Sequence, residues 1–589
     1  MLTLNYSTAR IKFQKAKTGN NHYDGVLKFK KKIIEVSKIL TDKIGKIGAG
    51  GLLIMFACGM TILKSWQLDN DAWFILNCGR YVVETGTIPH EEFATMHEGF
   101  HYVMEQWLTA VIFWIIYSNF GADALISFAW LVGFILMFVY FKLCLFVSNG
   151  NKKVSALLTF VIATIITPPF LVTRPQIFST LILLIEIFLL EKFVRGKKFW
   201  ILCALPILAA ILINLHAALF PMMIVVLLPY VAESLYQKIK PARESEIKFL
   251  PLIVTAAGIF FAGFLNPYGW EAMTFVFTSY DPEIHSKIIE VKPPTIYKVT
   301  GVALFIFSAL LIISHCKKNI PLRYFFLSFG IMILGFMSVR NIFLFLILST
   351  FPLAYAAKDW HPFDKIFNLR HKLFIPLFAV CAVEIYWLAS NPDFSNMPLH
   401  FPIKFVAFFS IIFLACFIFF YRREGKLFSE EIFILRRKPL IALATLQMII
   451  LAEWIYFVAP PRNYETYKPA ANFLLKENRA EDIILWTGFN SGGYFEFHKI
   501  KTYFDARPEI FAISNNHKKE VAKEYFALME GVLDYEEFFS RYNFTHIFIT
   551  TEDIIPYLML SKDKNYRLLF EYDFPDGKGH GKIFEPVNK

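Results

Sequence analysis

Cysteine is scarce in this chain, with seven in 589 residues. They are Cys58, Cys78, Cys144, Cys203, Cys316, Cys381 and Cys416. No two form a CxxC pair and none follows residue 416, so neither a disulfide framework nor a zinc site is expected. Most lie in or beside apolar runs, where a thiol serves as a small buried hydrophobe. Charge is scarce too: 18% of residues are charged, where a soluble domain carries roughly a quarter. Nothing near the N-terminus reads as a cleaved signal, since 46 basic, polar residues precede the first apolar run.

What is present is aromatic and aliphatic. The chain is 56% hydrophobic, with 65 Phe and 26 Tyr, which excludes a disordered polymer. Apolar runs of about 18 residues, the length that crosses a bilayer core, recur from Leu53 to Tyr456. The expected class is a polytopic α-helical membrane protein. Its net charge of +12 sits in short loops between apolar runs. That is the positive-inside pattern, and no nucleic-acid partner is implied.

Residues 1–46 carry eleven Lys and Arg against three acids, which places this tail in the cytoplasm. The stretch 65–104 has one Arg and six acids, and reads as an outer loop. The apolar segment 105–121 is short and ends in Asn119-Phe120-Gly121. If it lies at the outer interface as a juxtamembrane helix, every later basic cluster falls on the cytoplasmic side. The spans are then 47–64, 123–148, 153–171, 177–193, 199–214, 216–236, 248–266, 298–315, 321–338, 341–357, 373–390, 402–421 and 439–458. That makes thirteen, with the N-terminus inside and the C-terminus outside. Three regions follow: a basic tail 1–46, a transmembrane domain 47–458 whose first outer loop is 65–122, and an extracytoplasmic α/β domain 459–589.

The last region is read from a change of pattern. Short β-branched and aromatic runs (Ile483–Thr487, Thr502–Asp505, His546–Thr550, Arg567–Tyr572, Lys582–Phe584) alternate with helical stretches (Pro469–Glu477, Asn516–Met529, Tyr535–Tyr542). The glycine-rich turn Gly488–Tyr494 lacks GxGxxG and GxxxxGK[ST], and reads as a structural turn.

Polar residues beside the spans collect at the outer face, and ionisable groups at membrane depth are costly and usually functional. Asp69-Asn70-Asp71 follows the first span. At a loop-to-helix junction both carboxylates can converge on one metal ion or substrate hydroxyl; the bland alternative is a helix N-cap. Glu105 opens the interfacial helix, where an acid also suits the helix dipole. Arg174-Pro175-Gln176 and Arg340-Asn341 place guanidinium groups between apolar helices, where an anion is the natural partner. Snorkelling to lipid headgroups is the alternative for Arg174. Asn214-Leu215-His216 interrupts a long apolar stretch, and Glu290 stands beside Pro293-Pro294 in the mixed-charge loop 267–297. Together these groups suit transfer chemistry on a lipid-linked phosphate.

An acidic pair after the first span, a long first outer loop with a juxtamembrane helix, and a basic second outer loop resemble the GT-C superfamily of membrane glycosyltransferases. That superfamily includes the protein O-mannosyltransferases, the lipid A aminoarabinose transferase and oligosaccharyltransferase catalytic subunits. A set of motifs is similar to bacterial GT-C-like membrane proteins: Asp71-Ala-Trp-Phe, Gly79-Arg80, Gly86-Thr-Ile-Pro89, Phe93, Glu105-Gln-Trp-Leu108, Arg174-Pro-Gln176, Asn214-Leu-His216, Asn266-Pro-Tyr-Gly269, Arg340-Asn341, Gly492-Gly-Tyr494 and Phe504-Asp-Ala-Arg507. The resemblance covers most of residues 50–510.

It implies a 13-span GT-C fold and a polyprenyl-phosphate-linked sugar donor, with Asp69 or Asp71 at the position of the catalytic acid. Arg174, Arg340, His216 and Arg80 are then expected to bind the donor phosphate, and Glu105, Gln176, Asn214 and Glu290 to position substrate. A divalent cation, Mg2+ or Mn2+, is a candidate cofactor at Asp69 and Asp71. Two departures stand out. The outer loop after the third span has no acid where oligosaccharyltransferases place metal-binding carboxylates. The family's Pro-x-Asp-Pro-Phe run is here Pro89-His90-Glu91-Glu92-Phe93.

The leading expectation is an inverting glycosyltransferase in a bacterial cytoplasmic membrane, passing sugar to an extracytoplasmic glycan, lipid or protein acceptor. The alternatives are a lipid-linked polysaccharide polymerase or ligase, and a lipid or sugar flippase. Against a flippase, the chain has no obvious repeat halves and no matching mid-span Gly/Pro breaks. A non-enzymatic scaffold is the remaining alternative.

Overall fold

The computed structural model describes residues 68–170, 172–239, 247–317, 320–359, 466–575 and 579–587. The tail 1–46 and the spans expected at 47–64, 373–390, 402–421 and 439–458 lie outside the described residues.

The first described element is α1, Ala72–Thr85, which ends at Gly86 in the left-handed conformation (φ 68°). Next comes the 41-residue α2, Trp107–Val147, with non-helical geometry at Gly121 (φ 80°, ψ −178°). The sequence reading put its boundary between interfacial helix and span at that glycine. A piece of fourteen residues before the break rises only about 20 Å, short of a bilayer core of about 30 Å.

The helices that follow are α3 (Lys152–Phe170), α4 (Gln176–Gly196), α5 (Ala204–Leu215), α6 (Pro221–Ile239) and α7 (Phe249–Ala262). Two short helices come next, α8 (Trp270–Thr278) and α9 (Pro282–Lys287), then α10 (Val299–Lys317), α11 (Leu322–Met337), α12 (Ile342–Leu348) and α13 (Pro352–Ala356). Among the described residues, four stretches are long and apolar enough to cross a membrane: Trp107–Val147, Ala217–Ile239, Thr300–Lys317 and Val339–Ala356. Phe199–Leu215, Phe249–Ala262 and Leu322–Met337 are apolar but shorter.

Close packing fixes α1 on the first half of α2. A Cβ at Gly79 would lie 2.0 Å from the carbonyl oxygen of Ala110, so only glycine permits the approach. Deeper in the bundle, Arg323 on α11 ties three helices together. Its Nε donates to Glu191 of α4 at 2.8 Å and its Nη1 to Glu233 of α6 at 2.9 Å.

The C-terminal part is a five-stranded sheet with helices. Its strands are β1 (Ile484–Trp486), β2 (Lys501–Thr502), β3 (His546–Thr550), β4 (Tyr566–Asp573) and β5 (His580–Pro586), in the order β2-β1-β3-β5-β4. β1 is parallel to β2 and β3, while β5 runs antiparallel to β3 and β4. Expected helices appear at Lys468–Glu477 (α14), Ala522–Met529 (α17) and Tyr535–Arg541 (α18). Three shorter ones were not expected: α15 (Gly492–Phe497), α16 (Ile513–Asn516) and α19 (Ile554–Leu560).

The carboxyl ends of the parallel strands face the loop between α1 and α2. Met96 N donates to the Thr502 carbonyl at 2.9 Å, and the His97 ring lies 3.0 Å from the Tyr503 carbonyl. Gly488–Tyr494 is a packing turn: a Cβ at Gly493 would stand 3.1 Å from Phe74 N, and one at Gly488 2.3 Å from Asp553 Oδ1. The docking is sealed by buried Arg507. Its Nη1 donates to Glu92 of the α1–α2 loop at 2.9 Å and its Nε to Asp505 at 2.7 Å, and its Nη2 reaches Glu496 at 3.3 Å.

Candidate active site

Asp71 occupies the N-cap of α1 but makes no side-chain capping bond. Its carboxylate points instead to Arg174, with Oδ2 3.2 Å from Nη2. Asp69 receives the other side of the same guanidinium, Arg174 Nε donating to Oδ1 at 2.8 Å. Asp69 Oδ1 also accepts from Asp71 N at 3.1 Å, and Asp69 N donates to Thr173 Oγ1 at 3.2 Å. The loop before α1 and the loop before α4 are thereby fastened together.

Glu290 completes the group. Arg174 Nη1 donates to its Oε2 at 2.9 Å, and Arg340 Nη2 reaches the same oxygen at 3.3 Å. Two further bonds hold the Glu290 and Arg340 segments side by side: Ser338 Oγ donates to the Glu290 carbonyl at 3.0 Å, and Val339 N to the Lys292 carbonyl at 3.0 Å. The two arginines differ in availability. The Arg174 side chain is 18% exposed with each of its three nitrogens facing a carboxylate, while Arg340 is 54% exposed with one acidic contact.

These charges set the protonation of the site. Burial pushes the Asp71 carboxyl up to about 7, with Arg174 opposing the rise and Asp69 and Glu290 adding to it. Burial also works to raise Glu290, but Arg174 and Arg340 prevail and hold it below the usual carboxylate range. Arg174 is partly destabilised by burial, yet Asp71, Asp69 and Glu290 keep it firmly protonated.

A second polar group adjoins the first. His216 Nδ1 lies 2.6 Å from Ser179 Oγ, which also back-bonds to the Pro175 carbonyl at 3.3 Å. His216 Nε2 lies 3.8 Å from Glu105 Oε2, and that oxygen accepts from Ala218 N at 2.9 Å. Glu105 thus spends its carboxylate on the α5–α6 hairpin and not on the start of α2. The bond from Ser179 to the Pro175 carbonyl, next to Arg174, joins the two groups at the start of α4.

The remaining expected residues are placed as follows. Asn214 accepts from Trp107 Nε1 at 2.8 Å and donates to the Leu265 carbonyl at 2.7 Å, bracing the hairpin. Gln176 starts α4, its carbonyl accepting from Thr180 at 2.8 Å. Arg80 has other partners: it donates to the Phe497 carbonyl at 2.8 Å and to Asn77 Oδ1 at 2.6 Å, and stacks on the Phe497 ring. It docks α1 on the C-terminal domain, apart from the Arg174 group.

Three residues escaped the sequence reading. Ser179 sits inside an apolar helix and gives no signal without its contact. Glu92, expected only as part of an acidic run, is the buried partner of Arg507. Glu509 follows Arg507 and has its carboxyl pushed up to about 7, by burial first, with Glu105 adding to the rise.

For the divalent cation that the resemblance implies, the described residues contain no group of three or more His, Cys, Asp or Glu arranged to hold a metal. The three acids of the site converge on Arg174 instead.

No protein-family profile and no curated protein matches the chain in sequence. Solved structures do match in shape. ArnT from Cupriavidus metallidurans in the apo state superposes with a TM-score of 0.50 at 11% identity, over 94% of this chain and 98% of that one. The fold is GT-C-like. The same ArnT bound to undecaprenyl phosphate gives 0.48 at 10% identity, over 90% and 96%. AglB from Archaeoglobus fulgidus, in complex with an inhibitory peptide and a dolichol-phosphate, gives 0.49 at 12%, over 91% and 74%.

Proposed function

We propose that this chain is a glycosyltransferase of a bacterial cytoplasmic membrane. It moves a sugar from a polyprenyl-phosphate-linked donor to an extracytoplasmic acceptor, with inversion at the anomeric carbon. One observation carries the reading: Asp69, Asp71, Arg174, Glu290 and Arg340 come from four separate loops and meet at one point. An apolar bundle beside that point suits a donor whose hydrocarbon tail stays in the bilayer, and ArnT, of like fold, has been solved with undecaprenyl phosphate.

In this reading Asp71 is the base. A carboxyl with a pKa of about 7 is matched to proton transfer near neutral pH. The acceptor hydroxyl oxygen attacks the anomeric carbon opposite the phosphate, and its proton passes to Asp71. The bond from that carbon to the phosphate oxygen breaks, with its electron pair leaving on the phosphate. Arg340, the more open guanidinium, binds the phosphate, with His216 held beside it by Ser179 and Glu105. Asp69 and Glu290 orient the arginines, and Glu105 orients His216. Asn214 and Gln176 shape the surrounding loops.

The test uses purified full-length protein and a panel of polyprenyl-phosphate sugars, with release of polyprenyl phosphate measured by mass spectrometry. Release from at least one donor, lost in Asp71→Asn, is expected. Loss of labelled lipid from one leaflet without any chemical change would point to a flippase and end the proposal.

A further inference from the structure

A divalent cation held by carboxylates needs their oxygens to converge on one point at about 2.0–2.6 Å. Asp69, Asp71 and Glu290 converge on a different object. Each faces a separate nitrogen of Arg174, Nε at 2.8 Å, Nη2 at 3.2 Å and Nη1 at 2.9 Å. The planar guanidinium is permanently charged and presents its donors as a fixed fork. It therefore spreads the three acids around its rim and neutralises part of their charge.

The local sequence explains why Arg174 can stay there. It is enclosed between two apolar helices, its side chain is 18% exposed, and Asp69 N to Thr173 Oγ1 ties its loop to the acids. Pro175 fixes the chain direction at the start of α4. No acid lies in residues 172–176, so the loop offers a cation where a metal site would need a ligand.

We infer that Arg174 stands in place of a divalent cation, so that Asp69, Asp71 and Glu290 hold no metal while it is present and form a metal site when it is removed. This deepens the proposed transfer reaction and rests on it for its meaning, but its test needs no sugar donor. In the transfer reaction Arg174 is a positioning residue, acting through the carboxylates it holds.

The experiment is Mn2+ binding to the full-length protein in detergent, read by the loss of the free-ion EPR signal on titration. Wild type is expected to take up no stoichiometric Mn2+. Arg174→Ala is expected to bind it stoichiometrically, and to lose that binding when Asp69→Asn and Asp71→Asn are added. Stoichiometric Mn2+ on wild type, abolished by Asp69→Asn with Asp71→Asn, overturns the inference, as does a folded Arg174→Ala that binds none. Should Arg174→Ala fail to fold, the thermal unfolding midpoint of wild type with Mn2+ and with EDTA decides: equal midpoints support the inference, and a rise with Mn2+ that Asp69→Asn removes sinks it. A failure to find any donor leaves the Mn2+ result standing, so the two proposals fail separately.

Discussion

Asp71 Oδ2 lies 3.2 Å from Arg174 Nη2, and the contact does two opposing things to the reaction. It aims the carboxylate, and it also holds down a pKa that burial alone would raise further. A base must be deprotonated, so activity is expected to rise with pH through about 7. Arg174→Lys leaves a point charge in place of the fork and should move that limb to higher pH. Asp69→Asn removes a neighbouring negative charge and should move it lower. Asp71→Asn should cost about 10²–10⁴-fold in kcat. The pH profile of kcat/KM checks all three, and a limb that stays put in both neighbour variants would assign the titration to another group.

Ser179 sets the tautomer of His216. Its hydroxyl can donate to the Pro175 carbonyl while accepting from His216 Nδ1, which leaves Nε2 to face Glu105. Ser179→Ala removes that acceptor, and about tenfold in kcat is expected to go with one lost hydrogen bond. Nitrogen NMR of the labelled histidine should show a changed Nδ1 environment, with Ser179→Thr restoring both signals. An unchanged Nδ1 resonance in Ser179→Ala would remove the assignment.

The elements that follow a repeating pattern were readable from the sequence, and the contacts that cross the chain were not. The kink in α2 was legible because Gly121 is where the apolar run divides. Strands β1 and β3 were legible from short β-branched runs, each set within a few residues of where it lies. The acidic pair, Arg174 and Arg340 were legible as costly groups at one face. Which nitrogen meets which acid was not, since Arg174 reaches Asp69 across 105 residues and Glu290 across 116. The partner of Arg80 was out of reach for the same reason, since the Phe497 carbonyl it donates to is 417 residues away. Glu92, read within an acidic run, and Arg507, read within the motif Phe504–Arg507, are 415 residues apart and form a buried pair.

Gly79 and Gly86 should both lose stability on substitution by alanine, but only Gly79 should lose activity. A Cβ at Gly79 meets backbone of α2 at 2.0 Å, and backbone cannot swing aside as a side chain can. Gly79→Ala is expected to destabilise by about 1–3 kcal/mol or more, and to lower activity because α1 carries Asp71 while the chain entering α2 carries Glu105. At Gly86 there is open space, so Gly86→Ala pays only for its left-handed backbone, about 1–2 kcal/mol, with activity retained. Thermal unfolding and polyprenyl-phosphate release on the same samples separate the two. Equal activity loss in both would detach α1 packing from the site.

The Arg507 network makes the sharpest stability prediction, because its charges do not balance. One guanidinium faces Glu92, Asp505 and Glu496, all buried. Burial, with Asp505 adding to it, holds the Glu496 carboxyl well above the usual range, so at neutral pH it is the protonated member, donor or acceptor as its partners require. Glu496→Gln keeps the shape and the bond from Thr502 Oγ1, now 2.5 Å long, and is expected to change stability by less than about 1 kcal/mol. Arg507→Ala leaves buried carboxylates without a counter-charge, which costs about 3–5 kcal/mol. Since Glu92 belongs to the first outer loop, that loss should also free the C-terminal domain from the loop, seen as faster proteolysis between residues 88 and 104. Equal stability of the two variants would mean that Glu496 is ionised in the folded protein and that the surplus charge is carried elsewhere.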